Sequence, residues 1–302
     1  MFRNYDTDVT TWSPAGRLLQ VEYALKAVKQ GSATVGIRSS NHVVLVSLKR
    51  SHSELSSYQQ KQFKIDNHMG ISIAGLVADA RVLCTYMRNE CINHRYVYDT
   101  PMPPSRLVGK IADKSQKTTQ SDIKRPYGVG LLVASYTPRS GPQLFRTCPS
   151  GNYYEYIGYA IGARSQSATT FIEKEYKNFD NMPLEELIVT ALRALESTIP
   201  ENIELTEENT SISVIGAPSP STIFAATPED GDESLYKEGV PRSTNYTYYD
   251  GECAIDSPEF IVLQRALRRL DPEDDGEDDD AEEEDKMADD DEPVVERDAM
   301  NA

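Results

Sequence analysis

Apolar residues first recur at three- and four-residue spacing at Leu18, Val21, Leu25 and Val28. This stripe predicts a helix from about Arg17 to Lys29, stopped at Gly31. Residues 1–16 before it are polar and turn-forming, and end in Ser13-Pro14-Ala15-Gly16. The period then changes. Ala33–Arg38, Val43–Leu48 and Met69–Leu76 read as strands, the second apolar throughout, as a strand covered on both faces must be. A helix from about Asp79 to Tyr98 carries Leu83, Tyr86, Met87 and Cys91 on one side. Prolines 101, 103 and 104 break the chain, and Arg106–Gln120 reads as a further helix. Three more strands are expected at Gly128–Tyr136, Gln143–Thr147 and Tyr153–Ile161, with Gly141-Pro142 as the turn between the first two. A helix from about Ser165 to Phe179 follows. The next helix starts at Pro183 and shows Leu184, Leu187, Ile188, Ala191, Leu192 and Leu195 on one stripe. Ser211–Ile215 is a strand, Tyr246–Tyr249 another, and Phe260–Leu270 a final helix.

Strands arrive in groups with tight connections, so antiparallel sheets are expected. Helices arrive in adjacent pairs, as layers covering those sheets. An α/β (α+β) four-layer αββα sandwich, helices outside and two antiparallel sheets inside, satisfies both. The sandwich is expected over 17–270. A Pro, Ser, Asp and Glu rich insertion occupies 217–244, and a low-complexity acidic tail 271–302.

Charge sharpens this division. The 302 residues carry a formal net charge of −17. Residues 271–302 hold 18 acids and 2 bases, which leaves 30 acids against 29 bases in the remainder. A near-neutral body lacks the surplus of Lys and Arg that phosphate backbones require, so no nucleic-acid partner is expected. The longest apolar runs fall far short of the roughly 20 residues of a membrane helix, so no membrane partner is expected either. The opening Met-Phe-Arg-Asn-Tyr-Asp has no apolar stretch of a secretory leader. The cysteines at 84, 91, 148 and 253 form no CxxC pair, which fits a reduced, intracellular chain without a disulfide framework.

Chemistry is sparse. Histidines 42, 52, 68 and 94 share no metal-ligand spacing and read as surface or strand-end residues. No glycine-rich phosphate loop is present, and no cofactor or metal is expected. Residues 162–166, Gly-Ala-Arg-Ser-Gln, read as a capped helix entering between layers in preference to an anion site. Tyr153-Tyr154-Glu155-Tyr156 alternates as a strand, with packing and interface roles first.

The N-terminal run Tyr5-Asp6-Thr7-Asp8-Val9-Thr10-Thr11-Trp12-Ser13-Pro14-Ala15-Gly16-Arg17-Leu18-Leu19-Gln20-Val21-Glu22-Tyr23-Ala24 resembles the N-terminal signature of proteasome alpha-type subunits. Gln30–Gly36, Gly75–Arg81, Arg125–Gly130 and Ala160–Gln166 support the resemblance, which covers about residues 1–216 and resumes near Tyr246–Glu252. Met1–Asn4 and Ile161–Gln166 look most like the branch that takes the sixth ring position.

The resemblance implies the N-terminal-nucleophile sandwich, and a non-catalytic place in a seven-membered outer ring stacked on a beta ring. Neighbouring alpha subunits, beta-ring subunits, regulatory particles and activators, and unfolded substrates in transit are the partners it implies. Ubiquitin-dependent and other intracellular protein degradation, in cytoplasm and nucleus, is the process. It makes 1–16 a segment of the axial gate, with Tyr5, Asp6, Pro14 and Tyr23 at the gate-cluster positions. Thr7 departs from the arginine usual there, as it does in the branch of the sixth position. It places Lys61, with Gly31 and Leu76 as walls, in a pocket for the C-terminal tails of regulators. Ser32 and Thr34 lie near the strand start that bears the catalytic threonine in the beta relatives, but about thirty residues precede them. An internal residue has a peptide nitrogen that cannot act as the base. Two other readings stand beside this one. One is a hydrolase made by cleavage before Ser32 or Thr34. The other is a free interaction module working through the acidic tail.

Overall fold

A computed structural model describes residues 5–51, 53, 55–200, 203–216, 246–250 and 258–270. The expected insertion at 217–244 and the acidic tail lie outside the described residues. Among the described residues, ten strands form two antiparallel five-stranded sheets. In the first, the order is β10 (Thr247–Asp250), β9 (Thr210–Gly216), β2 (His42–Leu48), β1 (Thr34–Arg38), β8 (Gly158–Ile161). In the second it is β3 (Gln62–Asp66), β4 (Met69–Gly75), β5 (Val129–Thr137), β6 (Gly141–Thr147), β7 (Tyr153–Glu155).

Three cores follow from side-chain alternation on the central strands. On β9, Ile212 and Val214 face outward and pack with helices α4 (Ser165–Glu175), α5 (Leu184–Glu196) and α6 (Pro258–Arg268). On β4 and β5, Ile71, Ile73, Leu131 and Val133 pack with α2 (Val77–Tyr98) and α3 (Pro104–Thr119). The opposite faces, with Val43, Leu45, Leu132, Ala134 and Ile215, meet between the sheets. The central strands are therefore buried on both faces, and the αββα architecture is as expected. The helix α1 (Leu19–Gln30) adds Val28 to the core between the sheets.

The space between the sheets is not wholly apolar. Gln62 on β3 reaches across and donates to the carbonyls of Leu45, at 3.1 Å, and Ser211, at 3.0 Å. Thr34 on β1 donates back to the Ile73 carbonyl at 3.2 Å. Each sheet thus holds backbone acceptors of the other, which fixes their relative position more tightly than apolar contact alone.

Several expectations need correction. The strand β3 has no counterpart in the pattern reading; it is short and lies at the sheet edge, with little apolar signal. Tyr153–Ile161 is not one strand. The chain pairs as β7 in the second sheet, leaves at Tyr156 and Ile157, and pairs as β8 in the first. Pro142 is not in the turn but in β6, opposite Tyr136. It is tolerated because β7 pairs only with Phe145–Thr147, so the neighbouring strand does not reach Pro142. The helix expected over Ser165–Phe179 ends at Glu175 and tightens into a 3₁₀ turn, Tyr176–Asn181. His68 stands at a strand end, directly before β4, as one of the two readings had it, but it is buried and not on the surface, its Nε2 lying 2.8 Å from the Met102 carbonyl. The start of α4 lacks a side-chain cap, contrary to the expected capped entry at residues 162–166.

Candidate gate and docking site

The leading segment is organised by its own polar groups. The Asp8 carboxylate receives the Thr11 hydroxyl at 2.7 Å and both the N–H and hydroxyl of Thr10. These bonds, the Thr11 hydroxyl first, hold its pKa below the usual carboxylate range. Ser13–Gly16 is a β-turn closed by the Gly16 N–H on the Ser13 carbonyl at 2.9 Å, with Pro14 at the position that its fixed φ suits. The Gln20 side chain on α1 donates to the backbone carbonyl of Asp6. The segment is thereby tied to a helix that is itself built into the core.

Of the expected gate residues, Tyr5 and Asp6 are half-buried, Pro14 is exposed, and Tyr23 is 41% exposed, with Trp12 also open at 63%. Among the described residues no hydrogen bond links these four to one another. Within one chain they form a surface and not a closed cluster. Gln20, which fastens Asp6, escaped sequence reasoning, because a glutamine on the polar side of a helix carries no signal of its own.

Of the residues expected for the docking pocket, Gly31 and Leu76 lie at one backbone junction, and Lys61 reaches Ser32 beside it. Gly31 ends α1, and a Cβ there would stand 2.2 Å from the Gly75 nitrogen. Gly75 has φ +115, and a Cβ on it would stand 2.2 Å from the Gly128 carbonyl oxygen. Gly162, φ +102, approaches the Ser32 and Gly31 carbonyls in the same way, and the Ala163 N–H donates to the Gly31 carbonyl at 2.7 Å. Four backbone segments therefore touch where side chains would keep them apart. Leu76 follows Gly75 and is 48% exposed.

Lys61 is buried and is not a solvated lysine. It is 4% exposed, and its Nζ donates to the Ser32 hydroxyl at 2.6 Å, to the Ser32 carbonyl, and to the Ala33 carbonyl at 3.4 Å. Burial, with the positive Arg50 as the smaller cause, pushes its pKa well below the ordinary lysine value. The unfolded chain holds this proton up to a higher pH than the fold does. This group's contribution to stability therefore rises as pH climbs from the folded value toward the unfolded one of about 10.4. Lys61→Met is expected to lack that rise. Urea midpoints of the two proteins at neutral and mildly alkaline pH should diverge, and parallel midpoints would sink the assignment.

Two separate stretches of the sequence are joined here by one carboxylate. Asp79, in the first turn of α2, accepts Arg125 Nη1 at 2.6 Å and Nη2 at 2.8 Å, and the Gly128 N–H at 2.9 Å. Desolvation pushes its pKa up, but the Arg125 hydrogen bonds, the Gly128 N–H and the Arg125 charge together hold it below the usual value. The segment after α3 is thus clamped against Gly75 and Leu76; the Leu76 N–H donates to the Gly128 carbonyl at 2.9 Å.

The N-terminal signature of A-type proteasome subunits matches residues 5–27, and the family described as "Proteasome subunit" matches residues 28–215. The chain belongs to the proteasome subunit family. Its similarities fall on the alpha side of that family. The alpha type-1 proteasome subunit of Dictyostelium discoideum is 53% identical over 253 residues, covering 81% of this chain and 100% of that protein. The probable alpha type-6 proteasome subunit of Schizosaccharomyces pombe is 55% identical over 225 residues, 74% of this chain and 82% of that one. The alpha type-1 proteasome subunit of Caenorhabditis elegans is 46% identical over 248 residues, 81% and 94%. The chain is an alpha-type proteasome subunit, and the tied leading segment is where the alpha signature falls.

Proposed function

We propose that this chain is a non-catalytic subunit of the outer ring of the proteasome core particle, in the sixth position. In this role it contributes Tyr5, Asp6, Pro14 and Tyr23 to the axial gate. It presents Gly31, Leu76 and Lys61 to the C-terminal tails of regulatory particles. Its neighbours are other alpha subunits and the beta ring, and unfolded proteins pass it on their way to degradation in cytoplasm and nucleus.

One observation carries the reading: α1 is built into the sheet-to-sheet core through Val28 and bears the leading segment on its polar side. A processed hydrolase would have to shed that helix to free an amine at Ser32 or Thr34. The loss would open the core between the sheets. A helix held there for a structural purpose leaves the segment before it free to act on neighbours. For docking, the apolar wall at Leu76 and the carbonyl-rich turn at Gly31 suit an extended peptide end. Lys61 would meet a carboxylate only by giving up its contacts with Ser32.

Native mass spectrometry on material from the source cells, with denaturing mass on the same sample, tests assembly. The chain should sit uncut at Ser32 in a particle of several hundred kilodaltons. Cleavage before Ser32 restores the hydrolase, and a lone monomer removes the ring. In an assembled particle, Asp6→Ala should raise peptide hydrolysis in the absence of any activator. Lys61→Met should weaken stimulation by a tail-bearing activator. Unchanged latency and unchanged stimulation would remove the gate and pocket roles respectively.

A further inference from the structure

Gln62, Ser213 and Tyr246 each carry a buried polar atom with no hydrogen-bond partner among the described residues. The atoms are Gln62 Oε1, the Ser213 hydroxyl and the Tyr246 phenol oxygen. Gln62 and Ser213 are 1% exposed and Tyr246 is 6% exposed, so water at the surface does not reach them. A buried polar atom left unpaired is uncommon and weakens a fold, and here three occur in one layer.

Their places in the fold bring them together. Side-chain alternation puts Ser213 on the inner face of β9, since Ile212 and Val214 on either side face the helices. The Gln62 amide is fixed by its donor bonds to two carbonyls. One belongs to Ser211, two residues before Ser213, and the other to Leu45, the ladder partner of Ser213. Tyr246 belongs to the core between the sheets, and its ring lies on Gly70 of β4, where a Cβ would collide with it. Gly70 and Ser72 share one face of β4, and Ser72 pairs with Gln62. Burial pushes the Tyr246 pKa up, and the Ser213 hydroxyl is near enough to lower it in part. No hydrogen bond of ordinary geometry closes between the two.

We propose that one water molecule is bound between the sheets, held jointly by Gln62, Ser213 and Tyr246. A buried water typically makes about three hydrogen bonds to groups that have no other partner. Here it donates to Gln62 Oε1, which can only accept, and to the Ser213 oxygen, and it accepts the Tyr246 phenol proton. All three groups are neutral. They select an uncharged ligand, because an ion without a counter-charge is far costlier to bury. Ser47, Ser72 and Ser211 are also buried on these inner faces, in the layer that holds Leu45, Leu132 and Leu144. Such small side chains leave space that leucines would fill. The site joins β3 of one sheet, β9 of the other and the chain entering β10. Tyr246 is the first described residue after Gly216, so the water fastens the strand Thr247–Asp250 to both sheets.

The test is a crystal structure of the full-length chain, or of the particle that contains it, at a resolution that shows ordered water. A water peak within about 2.7–3.2 Å of all three atoms is expected. Two variants read the same site in solution. Tyr246→Phe removes only the phenol oxygen, and Ser213→Ala only the hydroxyl. With a water in place, each variant lowers the thermal midpoint, and the double variant loses less than the sum of the two. The amides of Thr247–Asp250 should exchange about fivefold faster in Tyr246→Phe, the worth of one hydrogen bond. With the atoms unpaired, their removal would relieve the fold, and midpoints would hold or rise. Absence of the peak where other core waters are visible overturns the proposal. So does a direct bond between Tyr246 and Ser213, or midpoints that neither variant lowers.

Discussion

Gly75→Ala should cost about 2–6 kcal/mol of folding stability, a large share of the roughly 5–15 kcal/mol that a domain possesses. Two independent causes add. A φ of +115 lies where an L side chain is strained by about 1–3 kcal/mol. The new Cβ would also stand 2.2 Å from the Gly128 carbonyl oxygen, which is backbone and cannot turn aside. Overpacking of that kind costs about 1–3 kcal/mol more. Two further variants separate the causes. Gly141 has φ +69 but nothing within 4 Å of a built Cβ, so Gly141→Ala carries the conformational cost alone. Gly31→Ala carries the steric cost alone, since its φ is −64 while its Cβ would meet the Gly75 nitrogen. Urea unfolding followed by far-ultraviolet circular dichroism should rank Gly75→Ala as the most damaging of the three. Equal losses at Gly75 and Gly141 would show that the crowded backbone junction yields easily.

The second large effect is expected at Asp79. Asp79→Ala leaves the Gly128 N–H without its acceptor, at about 1–3 kcal/mol. Arg125 adds little, because its side chain is 61% exposed and water screens the pair. Asp79→Asn keeps an oxygen for Gly128 and should lose less. The Asp79 carboxyl titrates below its ordinary value in the fold. Its stabilisation is therefore full above the unfolded carboxylate pKa of about 3.9, and is lost as pH falls through the folded value. The gap in urea midpoint between the parent and Asp79→Asn should accordingly be wider at neutral pH than in acid. A gap of constant width would mean that hydrogen bonding, and not charge, holds the segment.

The same residues show what a sequence reveals and what it hides. The helix α5 was legible because its stripe depends on near neighbours: Leu187, Ile188, Ala191, Leu192 and Leu195 of the expected stripe are buried, Leu184 is partly buried, and Ala194 joins them. The doubly buried β2 was legible for the same reason. The change of sheet at Tyr156 and Ile157 was not. The run of tyrosines on either side alternates as one strand would, and only pairing with distant partners divides it. The β3 edge strand was hidden because it is only five residues long and just two of them, Phe63 and Ile65, are apolar. At the site, resemblance picked out Gly31, Lys61 and Leu76; in the fold Gly31 touches Gly75, the residue before Leu76, and Lys61 bonds Ser32, the residue after Gly31. That Lys61 turns inward to Ser32 depends on a contact across 29 residues, which no local pattern records. The role of Gly75 was equally silent, since a glycine beside a helix start looks the same whether or not another backbone lies against it.

The joint between β9 and β10 has a consequence for how such chains diverge. Gly216 ends β9 opposite His42, and the next described residue is Tyr246, whose N–H meets the Asn67 carbonyl at 2.6 Å. Thr247 then pairs with Val214, so the points of departure and return are set side by side by the ladder itself. Whatever is spliced between them spans a gap already closed, and each doubling of its length costs only about 0.6 kcal/mol of closure entropy. Length at this joint is close to a neutral character, free to drift between lineages or to accept an engineered tag while both strands keep their register.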